Sequence, residues 1–496
     1  MFSFSAQYSE AENSYKLVSA LFVRLLAMIY FIAFFTLTFQ ITGLAGEDGI
    51  LPLSPWLDYL LNDLGGSAFL HFPMIFWFDQ SDTFLQVVAW SGCVLSILLF
   101  FNRWPRLNLI LLFVGYLSLV KAGQTFMNFQ WDGLLLEAGF LAIFLRPDSR
   151  VMIFLFRWLL FRLRFMSGIS KLAMGDSSWL GMTALLYYFE TQPLPHLGAW
   201  YFHNLPEIVL IAATVLVLII EILVPFMMFL SRKYRLIAAW ITLALQILIL
   251  LSSNHNWFNF LSIALCLFLF DDQSVRKIIP AGLERWLIKC WSKPVVTKSS
   301  TLSVRASYLL AMVLVSGGLL SMQRMVIDRG LGRYPDLAVD VLQQWHIVNA
   351  YHVFPSMTTR QIELKIHGSI DGVSWKEYEF IHRPNDLSKR PSIVLPHHPR
   401  LDWMMWFVPF HPRFLPWFDS FLIALLENSA DVTGLLKQNP FKSQAPNFIR
   451  VESWQYEFTT PQERELSGNW WKRRYLGPFK PLPGKFKIRE PLINSG

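Results

Sequence analysis

Two carboxylates lie in one apolar, membrane-length run, and they are the side chains of this sequence that most clearly could do chemistry. Asp132 and Glu137 lie within residues 128–145, which otherwise read mostly as Leu, Phe, Ala, Ile and Gly. A charged side chain inside a bilayer costs roughly 2.5 kcal/mol or more on insertion scales, so each carboxylate needs a partner or a proton. The sequence leaves two interpretations open: an acid site facing an internal cavity, or a structural ion pair that fixes helix packing.

Basic residues in the next apolar segment are the obvious partners. Arg157, Arg164 and Lys171 are spaced by seven, which places them on one helical face, and Arg162 lies between them. This stripe either pairs with Glu137 and the later carboxylate Glu221, or lies along the membrane surface with its charges reaching water. Lys171 is near the far end of the segment, where a lysine removed from water would serve as a general base.

Other polar residues have both a chemical and a structural interpretation. Pro225, four residues after Glu221, predicts a kinked helix. Glu190 and His196 stand in a proline-rich loop and form either an acid/base pair or a surface hydrogen-bond network. In the C-terminal third, Arg400 and Asp402 are expected to order a turn.

Metal and cofactor sites are not predicted. His397 and His398 are adjacent, but two neighbouring histidines alone are a weak metal signal, and no H-x-x-x-H or C-x-x-C pattern occurs. The chain has only three cysteines, which argues against a disulfide-exchange role. The sequence also shows no nucleophile elbow, P-loop or dinucleotide-binding loop.

The composition is that of a membrane protein. Of the 496 residues, 54% are hydrophobic and 16% are charged, against about a quarter charged in soluble domains. The net charge of +8 comes from basic residues that flank apolar runs, so they serve as topology signals and do not predict nucleic-acid binding.

The apolar runs predict a polytopic α-helical membrane bundle of about 8–10 spans over residues 1–325. The candidate spans are roughly 22–44, 84–101, 107–125, 131–145, 151–172, 208–230, 235–251, 257–270 and 306–322. The loop 45–82 contains six acidic residues and no Lys or Arg, whereas the linker 271–305 is strongly basic. The positive-inside rule therefore predicts a cytoplasmic N-terminus and, with nine spans, an extracytoplasmic C-terminal part.

Residues 326–496 are predicted to form an extracytoplasmic β-rich domain, either α+β or β-sandwich-like, with a Pro-rich tail. Alternating patterns over 361–366 and 373–380 predict two strands joined by a turn at Asp371–Gly372. A helix is expected over Trp417–Asn428 and a further strand over Phe448–Phe458.

Several motifs together resemble the lipase maturation factor family. The motifs extend over both parts of the chain and are Gln130–Phe140, Tyr188–Pro195, Glu221–Phe226, Asn349–Tyr351, Gly368–Tyr378 and Pro399–Trp403. Two departures are His352–Pro355, where the family pattern has a Gly-containing stretch, and His398, where it has Gln. A shorter segment, Gly168–Leu172 followed by Trp179, is similar to the vitamin K-dependent gamma-carboxylase and related membrane domains, in which this lysine is the catalytic base.

The resemblance implies a membrane-anchored, chaperone-like maturation factor for secreted lipases or other exported enzymes, with no cofactor. Its partners would be these clients and membrane lipids, and not nucleic acid. Relatives of this kind reside in the endoplasmic reticulum membrane. Because no retrieval tail is present, we expect a bacterial-type member in the inner membrane with the C-terminal domain in the periplasm.

Within that hypothesis, Asp132, Glu137, Arg162, Arg164, Lys171 and Glu221 form an intramembrane polar core. The candidates for client contact are Trp375, Tyr378, Trp403 and Trp406. The rival hypothesis is a membrane enzyme with Lys171 as base and Glu137 or Glu190 nearby. A small-molecule transporter is the third, although no pair of spans shows inverted symmetry.

Overall fold

The computed structural model describes residues 14–291, 301–327 and 330–480, which form a helical bundle followed by a domain built on one β-sheet. The Pro-rich tail beyond residue 480, and part of the basic linker including Lys293 and Lys298, lie outside the described residues.

The first part of the chain is helical throughout. In chain order its helices are α1 (Lys16–Thr38), α2 (Ile41–Ala45), α3 (Leu53–Leu64), α4 (Ala68–His71), α5 (Asp82–Phe100), α6 (Pro105–Ala122), α7 (Gln130–Ile143), α8 (Arg150–Ala173), α9 (Ser177–Leu180), α10 (Ala184–Tyr188), α11 (Leu197–His203), α12 (Glu207–Ile222), α13 (Val224–Met227), α14 (Arg232–Ser252), α15 (Phe258–Cys266), α16 (Asp272–Arg276), α17 (Ala281–Trp291), α18 (Thr301–Ile327) and α19 (Arg333–Gln344). Single 3₁₀ turns occur at Gly65–Ser67, Ile75–Trp77, Gln124–Phe126 and Leu267–Leu269.

Six helices in the described part of the chain are long and apolar enough to cross a membrane, which confirms a polytopic membrane bundle. They are Lys16–Thr38, Asp82–Phe100, Pro105–Ala122, Glu207–Met227 (α12 and α13 counted together), Arg232–Ser252 and Val304–Ile327. The other three predicted spans coincide with α7, α8 and α15, which are helical but fall short of this measure. Helices α7 and α15 have only 14 and 9 residues, and α8 carries five basic residues.

Local sequence explains where these helices begin and break. Ser81 and Ser149 cap α5 and α8, because each hydroxyl accepts a hydrogen bond from a backbone N–H of the first turn. Pro105 opens α6 at a position that needs no donor. A kink was predicted at Pro225, and the structure has a break just before it, since α12 ends at Ile222 and α13 begins at Val224.

Helix α1 lies at the centre of the bundle and fixes its neighbours. Phe22 of α1 packs edge-on against Phe156 of α8 and Phe268, whose rings stack with centroids 4.2 Å apart. Gly92 of α5 lies directly against the ring of Phe34, so α5 approaches α1 closely at that turn. This aromatic packing holds α8, the helix that carries Arg162, Arg164 and Lys171.

The C-terminal domain contains a four-stranded antiparallel sheet. Its elements are β1 (Gln361–Ser369), β2 (Trp375–Tyr378), α20 (Arg400–Met405), a 3₁₀ turn (Pro412–Phe414), α21 (Leu415–Leu426), α22 (Ala430–Thr433), β3 (Phe448–Phe458), α23 (Pro461–Ser467) and β4 (Trp471–Lys480). The strand order is β2-β1-β3-β4, with Ile366 opposite Tyr378 and Leu364 opposite Ser453. Helices α20 and α21 supply the core on one face, including Met404, Phe418 and Leu422.

This architecture confirms the strands and helix expected from sequence and decides between the two alternatives for the domain. The described residues contain one sheet covered by helices, so the domain is α+β. The β-sandwich alternative was wrong, because no second sheet packs on the first within residues 330–480. The Asp371–Gly372 turn is also confirmed: Asp371 accepts from the backbone N–H groups of Val373 and Ser374, and Gly372 has a φ of 77°.

Candidate functional site

The first centre joins the two parts of the chain through a buried ion pair. Asp132, in the first turn of α7, receives both Nη atoms of Arg400, each at 2.7 Å. The Tyr116 hydroxyl donates to the same carboxylate at 2.5 Å, and the Phe126 carbonyl accepts from Arg400 at 3.1 Å. Neither side chain of the ion pair is exposed. Because this arrangement is bidentate and dry, it fixes the orientation of α20 relative to α7.

This pairing corrects the expectation that Arg400 and Asp402 order a turn together. Arg400 reaches into the bundle, whereas Asp402 stays in its own domain and accepts from the backbone N–H of His382 at 2.8 Å. Burial raises the pKa of Asp402 to about 6. Gln40 at the end of α1 completes the contact, since it accepts from the Arg400 N–H and donates to the His398 carbonyl.

The second centre surrounds Glu137, and the chain after α19 enters it. Glu137 is paired with Arg162 of α8, and its other oxygen accepts from the backbone N–H and side-chain amide of Asn349, each at 3.1 Å. The Tyr351 hydroxyl donates to that oxygen at 2.8 Å. Gly133 leaves room for Asn349, because a Cβ there would stand 2.9 Å from the amide oxygen. One carboxylate therefore organises two helices and a C-terminal segment.

The third centre surrounds Glu221 of α12. Its two oxygens accept from Arg164 at 2.8 Å and from Lys171 at 2.7 Å. The Lys171 ammonium also donates to the carbonyls of Ser167 and Val353, at 3.0 and 2.9 Å. All three hydrogens of this ammonium thus have acceptors within the protein. Gly168 permits the approach of α12, because a Cβ there would meet the Glu221 Cβ at 2.8 Å.

The six residues expected in the polar core are all at most 5% exposed, and the structure groups them into these three centres. Arg157, which shares a helical face with Arg164 and Lys171, does not join them. It donates instead to the Phe268 carbonyl at 2.8 Å and to the Tyr15 hydroxyl. Arg400, Asn349 and Tyr351 were not predicted as partners of the polar core, although all three lie in motifs that carry the family resemblance.

A loop platform at one end of the bundle receives the C-terminal domain. It consists of residues 188–196 and 252–256, joined by hydrogen bonds from Tyr188 to Ser253 and His255 at 2.9 and 2.8 Å. Asn254 donates to the Ser392 carbonyl and accepts from the Val394 N–H, at 2.8 and 2.9 Å. This platform therefore holds residues 392–394 through backbone groups.

Glu190 and His196 do not form the acid/base pair considered above. Glu190 accepts from the backbone N–H of Phe458 at the end of β3, and burial raises the pKa of Glu190 to about 7. His196 accepts from the backbone N–H of Gly198 at 2.8 Å and caps α11. Both residues have structural partners, and Glu190 is a further contact between bundle and domain.

Three of the four candidates for client contact are buried. Tyr378 and Trp403 are 1% and 3% exposed, and Trp406 donates to Gln361 inside the domain. Trp403 packs against Trp131 and His398, with ring centroids 5.2 and 5.4 Å apart. A buried ring offers no surface to a partner, so these three leave the set of candidates. Trp375 is half-buried on β2, and its role in client contact stays a prediction.

The two adjacent histidines occupy different surroundings. His398 is enclosed by aromatic rings at the domain contact, while the His397 ring lies 6.0 Å from that of His382. Burial lowers the pKa of both His382 and His397 to about 4, so both are neutral at pH 7. Within residues 14–291, 301–327 and 330–480, no three His, Cys, Asp or Glu side chains are grouped as metal ligands.

Comparison with known proteins identifies the family. The lipase maturation factor transmembrane domain matches residues 17–277, and the lipase maturation factor C-terminal domain matches residues 347–481. Lipase maturation factor 2 of Xenopus laevis is 31% identical over 588 residues, which cover 95% of this chain and 82% of that protein. Lipase maturation factor 1 of Mus musculus is 30% identical over 518 residues, with 96% of this chain and 90% of that protein covered. Lipase maturation factor 1 of Homo sapiens is 30% identical over 512 residues, with 95% of this chain and 88% of that protein covered. No solved structure was found to match. Because both domains and nearly the whole length are matched, the chain belongs to the lipase maturation factor family.

Proposed function

We propose that this chain is a membrane-anchored maturation factor that helps exported lipases, or other exported enzymes, to reach their active state. The observation that carries the proposal is the match of both family domains, together with relatives named lipase maturation factor 1 and 2. In physical terms, the bundle anchors the C-terminal domain, and transient contact with that domain favours the productive state of a client over aggregation.

The proposal places the C-terminal domain outside the cytoplasm, in the periplasm of a bacterial cell or the lumen of the endoplasmic reticulum. The distribution of charge supports this orientation. The loop 45–82 at the domain-facing end has six acidic and no basic residues, and Arg232 and Arg235 stand at the opposite end of α14 from Ser252. Exported clients meet the domain only if it is exported too.

The surface proposed to meet a client is the aromatic and arginine-rich part of the sheet around Trp375 and Trp454. Trp375 of β2 stacks under Arg450 of β3, 4.5 Å from the ring centroid. Trp454 likewise lies against Arg473 at 4.5 Å and beside Tyr475 at 5.0 Å. Aromatic rings and arginines are the side chains most enriched at protein interfaces, which supports these two stacks as the client surface.

The rival enzyme hypothesis depends on Lys171, and the geometry favours a structural role for it. A general base needs a free lone pair, whereas this ammonium donates to Glu221, Ser167 and Val353. Its neighbour on the other side is the Trp179 ring, 5.1 Å away. We therefore propose a non-enzymatic factor, and no feature of the described residues favours the transporter.

The test is co-expression with a secreted lipase in cells lacking their own maturation factor. We expect the full chain to raise the lipase activity per mass of secreted lipase, and Trp375→Ala to reduce that gain while the membrane level of the chain is unchanged. Leu466→Ala is the matched control, because Leu466 is an exposed apolar side chain on α23, away from the Trp375–Arg450 stack. An unchanged lipase specific activity with the full chain would refute the proposed function.

A further inference from the structure

Helix α19 (Arg333–Gln344) follows the last membrane-length helix, α18 (Thr301–Ile327), and runs back alongside it. Arg324 pairs with Asp340 at 2.5 Å, and Ser321 accepts from Gln343 at 3.3 Å. Going from Arg324 back to Ser321 on α18, the partner on α19 moves forward from Asp340 to Gln343. The two helices are therefore antiparallel, and α19 descends along the side of a helix that spans the membrane.

The chain continues inward after α19. A Cβ on Gly317 of α18 would meet both Leu342 and Val348, so the end of α19 lies beside Gly317. Gly317 is seven residues before Arg324, which is two helical turns or about 10 Å along α18. The next residue, Asn349, hydrogen-bonds Glu137 in the middle of α7. Residues 333–351 thus enter the bundle from its domain-facing end and reach the depth of its polar core.

One face of α19 exposes an apolar stripe. Tyr334, Leu337 and Val341 are 79%, 59% and 46% exposed and share that face by their spacing. The opposite face packs through the buried Val339, and Asp340 and Gln343 at its margin have partners on α18. A helix surrounded by water usually exposes polar side chains, so this stripe needs another apolar phase to contact.

We propose that α19 is a re-entrant helix whose Tyr334–Leu337–Val341 stripe contacts the acyl chains of the domain-facing leaflet. The stripe continues an apolar surface already exposed on α18 at Val326 and Ile327, which belongs to a membrane-length helix. Lipid fits this continuity, and the charged pair Arg324–Asp340 lies near the end of α18, where charged side chains can reach the membrane surface. The inference does not depend on the proposed function, and it places the segment 333–351 within the membrane part of the protein.

Site-directed spin labelling of the full chain in lipid vesicles tests the proposal. The three natural cysteines are replaced by alanine, and single cysteines are placed at Tyr334, Leu337 or Val341 for a nitroxide label. Met312, exposed on α18, is the lipid-facing control, and Val373, exposed in the β1–β2 turn, is the aqueous control. Collision rates with oxygen and with a water-soluble nickel chelate report the surroundings of each label.

We expect labels at Leu337 and Val341 to resemble Met312, with high oxygen and low nickel collision rates. We also expect nickel accessibility to fall in the order Tyr334, Leu337, Val341 as the helix descends. Nickel accessibility at all three sites equal to that at Val373 would overturn the proposal and leave the stripe facing water. Accessibility to neither reagent would also overturn it, since a protein surface and not lipid would then cover the stripe. Each variant is first shown to retain the melting temperature and the monodisperse elution profile of the parent protein, so that only folded protein is scored.

Discussion

Arg400 and Asp132 are separated by 268 residues, yet they form a bidentate pair with both oxygen–nitrogen distances at 2.7 Å. The pair joins the first turn of α7 to the first turn of α20 and has no exposed side-chain surface. A buried pair of this kind is weak evidence for stability as such, and we expect its main effect to be on how the two domains are oriented.

Removing one member of this pair should destabilise the protein strongly. Arg400→Met or Asp132→Leu leaves an uncompensated buried charge, for which we expect a loss of about 3–5 kcal/mol of unfolding free energy. The double variant should lose less than the sum of the two, because neither charge then remains. Thermal unfolding of detergent-solubilised protein measures both quantities. Lys472→Ala, which removes an exposed pair with Glu463, is the control and should change little. Additive losses would contradict the role of the pair.

Gly168 is expected to be intolerant of even one methyl group. In Gly168→Ala the new Cβ would stand within 3.0 Å of Glu221 backbone and side-chain atoms, so α12 must move away from α8. Overpacking of this kind costs about 1–3 kcal/mol. The matched control is Gly282→Ala in α17, where no atom lies within 4 Å and alanine should be neutral or slightly stabilising. Comparison of the two melting temperatures tests this, and equal shifts would refute it.

Lys171→Met separates a structural lysine from a catalytic one. The substitution removes the contacts to Glu221, Ser167 and Val353, so we expect a lower melting temperature and a lower amount of folded protein. Client maturation per mole of folded protein should remain, because a structural lysine acts only through the amount of folded protein. Complete loss of maturation by a variant that is folded and present at normal levels would instead favour the enzyme hypothesis.

Glu190 should make the contact between bundle and domain pH-dependent. Its pKa is raised to about 7 in the folded protein by burial, while that of an unfolded chain is near 4.5. The folded state therefore binds the proton more tightly, so its stabilising contribution is complete below pH 4.5 and is lost as the pH rises through 7. We expect protection of the Phe458 amide from hydrogen exchange to fall between pH 5 and 8, after correction for the intrinsic exchange rate. In Glu190→Gln that fall should be absent, and a fall of the same size would exclude Glu190 as its cause.

Local patterns predicted most elements and several side chains of the polar core. Apolar runs located the spans, and alternation located β1 and β3, because both signals repeat over short distances. The charges of Glu137, Glu221 and Arg162 were conspicuous in apolar surroundings. Their partners were harder to predict: Asn349, Tyr351 and Arg400 lie in polar segments hundreds of residues away, where nothing local marks a side chain for burial.

The aromatic residues proposed for client contact were wrong in the opposite way, because residues predicted at the surface are buried. Trp403 and Trp406 lie in an apolar run that is compatible with either an exposed binding surface or a buried core. Only their tertiary contacts, Trp403 with Trp131 and Trp406 with Gln361, show that both are buried. Similarly, α19 lies in the segment 326–496 that the sequence analysis assigned to the C-terminal domain. Its partners Arg324 and Ser321 belong to the preceding helix, and that pairing appears only when the two are folded back on each other.

The Arg400–Asp132 contact also sets an order of events during synthesis. Asp132 is synthesised 268 residues before its cationic partner, so the pair cannot form until Arg400 has been translated. A chain that stops short of Arg400 leaves that buried carboxylate with the Tyr116 hydroxyl but without its arginine. An unfinished chain therefore keeps a buried, unpaired carboxylate in its helical bundle, and only the complete C-terminal domain supplies the arginine that neutralises it.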